Sequence, residues 1–199
     1  MSAGEMGIQA GKTGVRTLGV SESFVKGKSK RSVLAGVVIR GDLIIDGFSF
    51  NYTTVGGMDS TSSTLELYRR LDRNDVNLLM LNGCVISWFN VIDLHELSEE
   101  TGKPVICVTY EESEGIDKYF KEYFEDWKTR LEVCKRNGKR DRITLHTGHQ
   151  VFARFVGIED DAGKRILDRF TIEGGIPEPL RISRILARAI MKSELGANL

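Results

Sequence analysis

Two short polar stretches fall where α/β proteins do chemistry. Ser21-Glu22-Ser23 ends a strand candidate, Arg16–Glu22, and Asn82-Gly83 ends another, Val76–Leu81. Ligands of open α/β sheets collect at the carboxyl ends of such strands, near a switch in strand order. Glu22 brings a carboxylate there, while Ser21, Ser23 and Asn82 bring small groups that hydrogen-bond. Each stretch also has a bland reading, Glu22 as a solvent-facing strand end and Asn82-Gly83 as a turn. Asn90, with Asp93 three residues on, has the spacing of a helix N-cap followed by an acidic third position.

Cations form two local groups. The loop Val25–Arg31 carries Lys26, Lys28, Lys30 and Arg31 directly after the first strand. Beyond Pro177, Arg181, Arg184, Arg188 and Lys192 follow at increments of three, four and four, a stripe along one helix beside an apolar face of Leu180, Ile182, Ile185, Leu186, Ala189 and Ile190. Such a stripe either faces water or contacts phosphate. The chain has 28 basic and 28 acidic side chains and no net charge. A general attraction to nucleic acid is therefore absent, and phosphate contact must come from patches such as Lys28, Lys30 and Arg31 or Arg181, Arg184 and Arg188.

Other patterns imitate sites. Met6–Thr13 nearly spells a phosphate-binding loop, but Met6 takes the first glycine position and a strand, not a helix, follows, so the helix N-terminus such a cradle requires is missing. His146 and His149 flank a glycine-containing turn with no third ligand nearby. Tyr119, Phe120, Tyr123, Phe124 and Trp127 recur at helical spacing; they could stack bases, but packing against the sheet is the usual reason. Cys84, Cys107 and Cys134 are odd in number and far apart, as expected of reduced thiols in a cytoplasmic protein.

The elements that position these residues are legible in outline. Arg16–Glu22, Leu34–Arg40 and Asp42–Tyr52 read as an antiparallel meander, followed by a helix ending near Leu71. Val76–Leu81 and Pro104–Tyr110 are nearly continuous apolar runs, as in buried parallel strands. A helix over Asn90–Thr101 separates them, stopped by Gly102. A longer helix over Ile116–Lys135, strands Arg142–His146 and Val151–Gly157, a helix over Asp160–Phe170 and a last helix after Pro177 complete the order. Three antiparallel strands followed by alternating helix and parallel strand build a ribonuclease H-like α/β fold. The expectation is a mixed five-stranded sheet with flanking helices and C-terminal additions, residues 1–15 forming a flexible lead and 16–199 one domain. At 199 residues and 41% apolar composition the chain suits one packed core. No apolar run approaches the roughly 20 residues of a membrane span, so no membrane partner is expected.

The same residues carry a resemblance. Gly19-Val20-Ser21-Glu22-Ser23-Phe24 is similar to the strand-one opening of endonuclease V-like proteins. Gly56-Gly57-Met58-Asp59-Ser60-Thr61, Leu81–Leu94, Glu99–Ile106 and Ile176–Arg181 resemble blocks of the archaeal endonuclease dU family, together spanning most of Arg16–Ala189. The resemblance implies a nuclease using magnesium or manganese held by carboxylates, with a deaminated base, uracil in the first place, as target and DNA ahead of RNA as partner. It marks Asp59, Glu22 and Asn82 as the catalytic group, Asp59 and Glu22 as metal ligands, and Ser21, Ser23, Asn90 and Asp93 as base-contacting or supporting residues. Two positions depart from the pattern: Ser21 and Asn82 stand where aspartates are expected. The alternative is a nucleic-acid-binding module that kept the fold and lost its metal ligands. Asp59 has its own plain reading as an N-cap. Self-association is left open.

Overall fold

The structure, a computed structural model, describes residues 14–112 and 115–196. The near phosphate-binding loop Met6–Thr13 and most of the expected lead lie outside them. Val15, the last residue of the expected lead, is in the core, 6% exposed.

Three antiparallel strands open the chain: β1 (Arg16–Ser23), β2 (Arg31–Arg40) and β3 (Ile45–Thr54). Helix α1 (Ser60–Arg70) leads to β4 (Leu78–Asn82), followed by a two-stranded ribbon of β5 (Val85–Ile86) and β6 (Asn90–Val91). Then come α2 (Leu94–Thr101), β7 (Val105–Thr109), α3 (Asp117–Tyr123), α4 (Trp127–Arg136), β8 (Asp141–Thr144), β9 (Gln150–Val156), α5 (Asp160–Phe170) and α6 (Glu178–Gly196).

The main sheet runs β3-β2-β1-β4-β7-β9-β8. β1 lies between β2 and β4, and β4 pairs in parallel with both β1 and β7. This is the ribonuclease H-like arrangement expected, with β1 and β4 as central neighbours. The sheet has seven strands rather than five, because the β8–β9 hairpin joins the antiparallel side of β7 instead of standing apart. Each central strand is covered on both faces, which is why its sequence does not alternate. Leu18, Val20, Leu79 and Leu81 pack with Leu65, Leu67, Leu94 and Leu97 of α1 and α2. Leu78, Met80, Ile106 and Val108 pack with Ile166, Leu167, Phe170 and Leu180 of α5 and α6.

Helix α6 lies directly on β1. A Cβ at Gly19 would fall 2.4 Å from the Pro179 backbone, so no larger residue allows this approach. The expected helix over Ile116–Lys135 is two helices, because Phe124 is extended at φ −138°. The expected helix over Asn90–Thr101 starts later, at Leu94: Asp93 is its N-cap and accepts from the backbone N–H of His95 and Glu96 at 3.0 and 3.1 Å. Between β5 and β6 three successive non-glycine residues, Ser87, Trp88 and Phe89, are left-handed, with φ of 45°, 60° and 66°.

Candidate functional site

The in-step pairing of β1 and β4 ends at Val20 with Leu81, so Ser21 and Asn82 come next, side by side. Successive strand residues face opposite sides. Glu22 continues the Leu18–Val20 face toward α1 and the β5–β6 ribbon, while Ser21 faces α6. The Ser21 hydroxyl is buried, donating to the Leu180 carbonyl at 3.1 Å and accepting from the Ser183 hydroxyl at 2.7 Å.

Glu22 is held in place by the Ser32 hydroxyl, which donates to its carboxylate at 2.7 Å. Burial pushes the Glu22 carboxyl above its ordinary value, and the Ser32 hydroxyl, Ser87 and the Arg184 charge draw it partly back. Glu22, Ser23, Phe24, Asn82, Tyr110, Arg184 and Arg188 line a cleft of about 340 Å³. A larger cleft of about 810 Å³ adjoins it, sharing Asn82, Tyr110 and Arg184 and extending past Gly83, Glu111, Glu112, Arg140 and His149.

Asp59 lies on the Glu22 face of the sheet: Ser32, which holds Glu22, pairs with Thr53, which donates to Asp59. It occupies the N-cap position of α1 but makes no side-chain capping bond. Its carboxylate turns back to accept from the Thr53 hydroxyl at 2.8 Å, the Thr54 hydroxyl at 2.8 Å, the Thr54 backbone N–H at 3.1 Å and the Asn90 amide at 2.7 Å. Burial raises its pKa, but the bonds from Thr54, Thr53 and Asn90 outweigh that and hold it below the ordinary value. Asn90, fully buried, is the actual cap of α1: its carbonyl oxygen accepts from the Ser60 backbone N–H at 3.1 Å. Gly57 is required beside this group, since a Cβ there would lie 2.8 Å from the Asp59 carboxylate. The buried Arg130 closes the knot, donating to the carbonyls of Gly56, Gly57 and Phe89 at 2.9, 2.9 and 2.8 Å and pairing with Asp126. Asp93, 3% exposed, caps α2, donates its backbone N–H to Thr61 and meets Arg136.

Of the expected cations, Arg184 and Arg188 reach the clefts. Arg181 does not; it is bound bidentately by Glu178 at 2.8 and 2.5 Å. Lys28 and Lys30 are exposed on the β1–β2 turn and Arg31 at the start of β2; Lys26 lies 4.1 Å over Trp88 and Arg31 4.5 Å over Tyr52. The aromatic stripe does not pack on the sheet as expected. Only Phe120 is fully buried; Tyr119 and Tyr123 are exposed and stack on Phe89. His146 and His149 flank the β8–β9 turn, where the Leu145 N–H donates to the His149 carbonyl at 2.9 Å.

Sequence reasoning missed Tyr110, Arg140 and Arg130. Tyr110 follows β7 at the same carboxyl edge, so the rule that found Asn82 would have found it. Arg130 had no signal, a single arginine on a charged helix.

The arrangement does not fit a pair of divalent ions. Magnesium and manganese take hard oxygen donors, mostly carboxylate. Positions 21 and 82 supply a hydroxyl and an amide, the half-buried Glu22 is on the other face of β1, the Asp59 oxygens are taken up by Thr53, Thr54 and Asn90, and Arg184 places positive charge in the cleft. Among the described residues no group of three or more His, Cys, Asp and Glu side chains is placed to hold a metal.

The strand order defines a ribonuclease H-like α/β fold. The chain belongs to the Endonuclease dU family, which matches residues 13–191. It is 34% identical over 174 residues to a UPF0215 protein of Pyrobaculum calidifontis, covering 87% of this chain and 95% of that one. With the UPF0215 protein of Methanothermobacter thermautotrophicus it shares 34% over 189 residues, 92% of this chain and 91% of the other. Among solved structures it is similar to a protein of unknown function from Archaeoglobus fulgidus, with a TM-score of 0.77, 23% identity, and 89% and 98% of the two chains covered. Human ENDOV superposes with a TM-score of 0.61 at 18% identity, over 91% of this chain and 86% of that one. Ciona intestinalis endonuclease V, in complex with a 24mer DNA containing an inosine followed by a ribo-adenosine, gives 0.60 at 13%, over 90% and 87%. Among the described residues no helix is long and apolar enough to cross a membrane.

Proposed function

We propose that this protein recognises deaminated bases, uracil first among them, in DNA within the cytoplasm, and that it does so as a binding module rather than by two-metal cleavage. Membership of the Endonuclease dU family supports this target class, and the cleft at the carboxyl ends of β1, β4 and β7 offers it a place. One observation carries the choice of binding over cleavage: the side-by-side positions that would need carboxylates are Ser21 and Asn82, with Arg184 lining the cleft at Asn82. A base drawn out of its stack would have its polar edge hydrogen-bonded by a small group such as Ser23. Arg188 and the exposed Lys28, Lys30 and Arg31 would contact the backbone on either side.

A second reading, a metal-dependent endonuclease, is favoured by one observation: the Glu22 carboxylate lines the same cleft as Asn82. That reading also asks Asp59 to join them, and the Asp59 oxygens are taken up by Thr53, Thr54 and Asn90. The deciding experiment measures binding and nicking of uracil-containing and undamaged duplexes, with magnesium, manganese or EDTA. Salt-dependent binding that prefers uracil, without nicking, supports the module. Nicking that requires a divalent ion and disappears in Glu22→Gln overturns it in favour of the enzyme.

A further inference from the structure

Resting on the reading that the strand-end cleft takes nucleic acid, we propose that Arg184, Tyr110 and Asn82 form a phosphate-binding site that works without a divalent ion.

Three donors converge on this point with nothing among the described residues to donate to. Arg184 lines both clefts, half-buried, and makes no hydrogen bond or ion pair with any described residue. Its neighbour one turn back, Arg181, is by contrast satisfied by Glu178. A guanidinium carries five N–H donors in a planar fork suited to phosphate oxygens. The Tyr110 hydroxyl is buried and lacks any partner among the described residues, a condition native proteins avoid unless a ligand or water completes it. Burial pushes the Tyr110 phenol far up, so it remains an O–H donor. The half-buried Asn82 side chain likewise has no hydrogen-bond partner among the described residues, and its amide adds two N–H donors.

The surrounding charges favour an anion at this position. Ser21, on the same face as Asn82, is neutral and turned to Leu180 and Ser183. Glu22, held by Ser32 on the other face of β1, also lines the smaller cleft, where the Arg184 charge draws its carboxyl partly down. At the far end of the larger cleft Glu112 is paired with Arg142, and Arg140 donates to Thr109 and to the Glu111 carbonyl. A cation at this point would meet the Arg184 charge; a phosphate would complete it. The arginine thus stands in for the metal ions of a two-metal site as the positive partner of a backbone phosphate.

The ligand chemistry is a phosphate oxyanion, either a diester within a strand or a terminal phosphate. The test uses the intact chain in EDTA with inorganic phosphate and with short single-stranded oligonucleotides, with and without a 5′-phosphate. Expected are phosphate-dependent shifts of the Arg184 and Tyr110 side-chain resonances, and oligonucleotide binding that magnesium does not strengthen. Arg184→Gln should weaken that binding about tenfold and Tyr110→Phe about threefold. Arg184→Lys should keep part of the affinity, and Tyr110→Phe should fold at least as stably as the parent, since it deletes an unpaired hydroxyl. A preference for the 5′-phosphorylated strand assigns the site to a terminal phosphate, and equal binding assigns it to a diester; either result upholds it. Oligonucleotide binding unchanged in Arg184→Gln overturns the site and leaves the nucleic-acid reading standing. Phosphate shifts at Arg184 and Tyr110 without oligonucleotide binding uphold the site and sink that wider reading. A tenfold gain in affinity on adding manganese overturns the claim that the site works without a metal.

Discussion

Asp59 and Asn82 both sit in stretches that resemble a nuclease motif, and they end in opposite conditions. Around Asp59 nearly every hydrogen-bonding group is used: Thr53, Thr54 and Asn90 surround its carboxylate, Asn90 caps α1, and Arg130 binds three carbonyls of the adjoining loops. Around Asn82 the groups are idle: the Tyr110 hydroxyl has no partner and Arg184 makes no ion pair with the described residues. A saturated polar cluster fixes backbone, since each bond has already been made within the chain. An unsaturated one in a cleft is where an external molecule can gain those bonds. The same motif resemblance therefore marks a structural knot at one place and a receptive surface at the other.

Substitutions separate the two regions by which quantity they move. The largest effect is expected at Arg130→Ala, which strips the knot of its central donor and leaves the carbonyls of Gly56, Gly57 and Phe89 unpaired. It should cost about 3 kcal/mol in urea unfolding, with oligonucleotide affinity of the folded protein unchanged. Asp59→Ala should cost about 2 kcal/mol and likewise spare binding; a loss of binding at unchanged stability would move Asp59 into the site. Because the Asp59 carboxyl is held below its ordinary value of 3.8, its contribution is complete above that value and lost as pH falls through the folded pKa. Asp59→Asn should accordingly flatten the acid limb of a stability-versus-pH curve.

On the cleft side the readout is binding. Ser21→Asp with Asn82→Asp should weaken oligonucleotide binding in EDTA by about tenfold, and manganese should recover it, because the pair adds the hard anionic donors now missing. No recovery would mean that the scaffold has lost metal geometry as well as charge. The smallest effect is expected at Glu22→Gln. Burial raises the Glu22 pKa above 4.5, so its ionised form is a burden in the folded state at neutral pH. The variant should be the more stable protein there, and the difference should vanish as pH falls below 4.5. A less stable variant at neutral pH would show that the Ser32 bond outweighs burial.

Much of the frame was legible because burial on both faces writes itself as uninterrupted apolar runs, as in Val76–Leu81 and Pro104–Tyr110. The joining of β8 and β9 to the main sheet was not, since their own pattern does not say which edge receives them. The break at Phe124 was hidden by aromatic spacing that continues as if the helix did. At the site, strand-end logic located Glu22 and Asn82 and stopped one strand short of Tyr110. Spacing alone could not tell Arg184 from Arg181, because the difference lies in Glu178, which folds back against only one of them. Asn90 read as a cap for the helix after it and proved to cap the helix before it, a contact across thirty residues.

The left-handed run Ser87-Trp88-Phe89 bears on how the molecule opens. Such backbone costs about 1–2 kcal/mol per non-glycine residue, and here it is restrained by the Gly56 N–H donating to the Ser87 carbonyl and by Arg130 on the Phe89 carbonyl. Phe89 in turn presents its ring to Tyr119, Phe120, Tyr123 and Phe124, so the seating of α3 depends on a turn that would relax if released. Helix α3 and this turn should therefore open together, at lower free energy than the β1–β4 core. Amide exchange in α3 should thus report on the bonds of Arg130, a helix away.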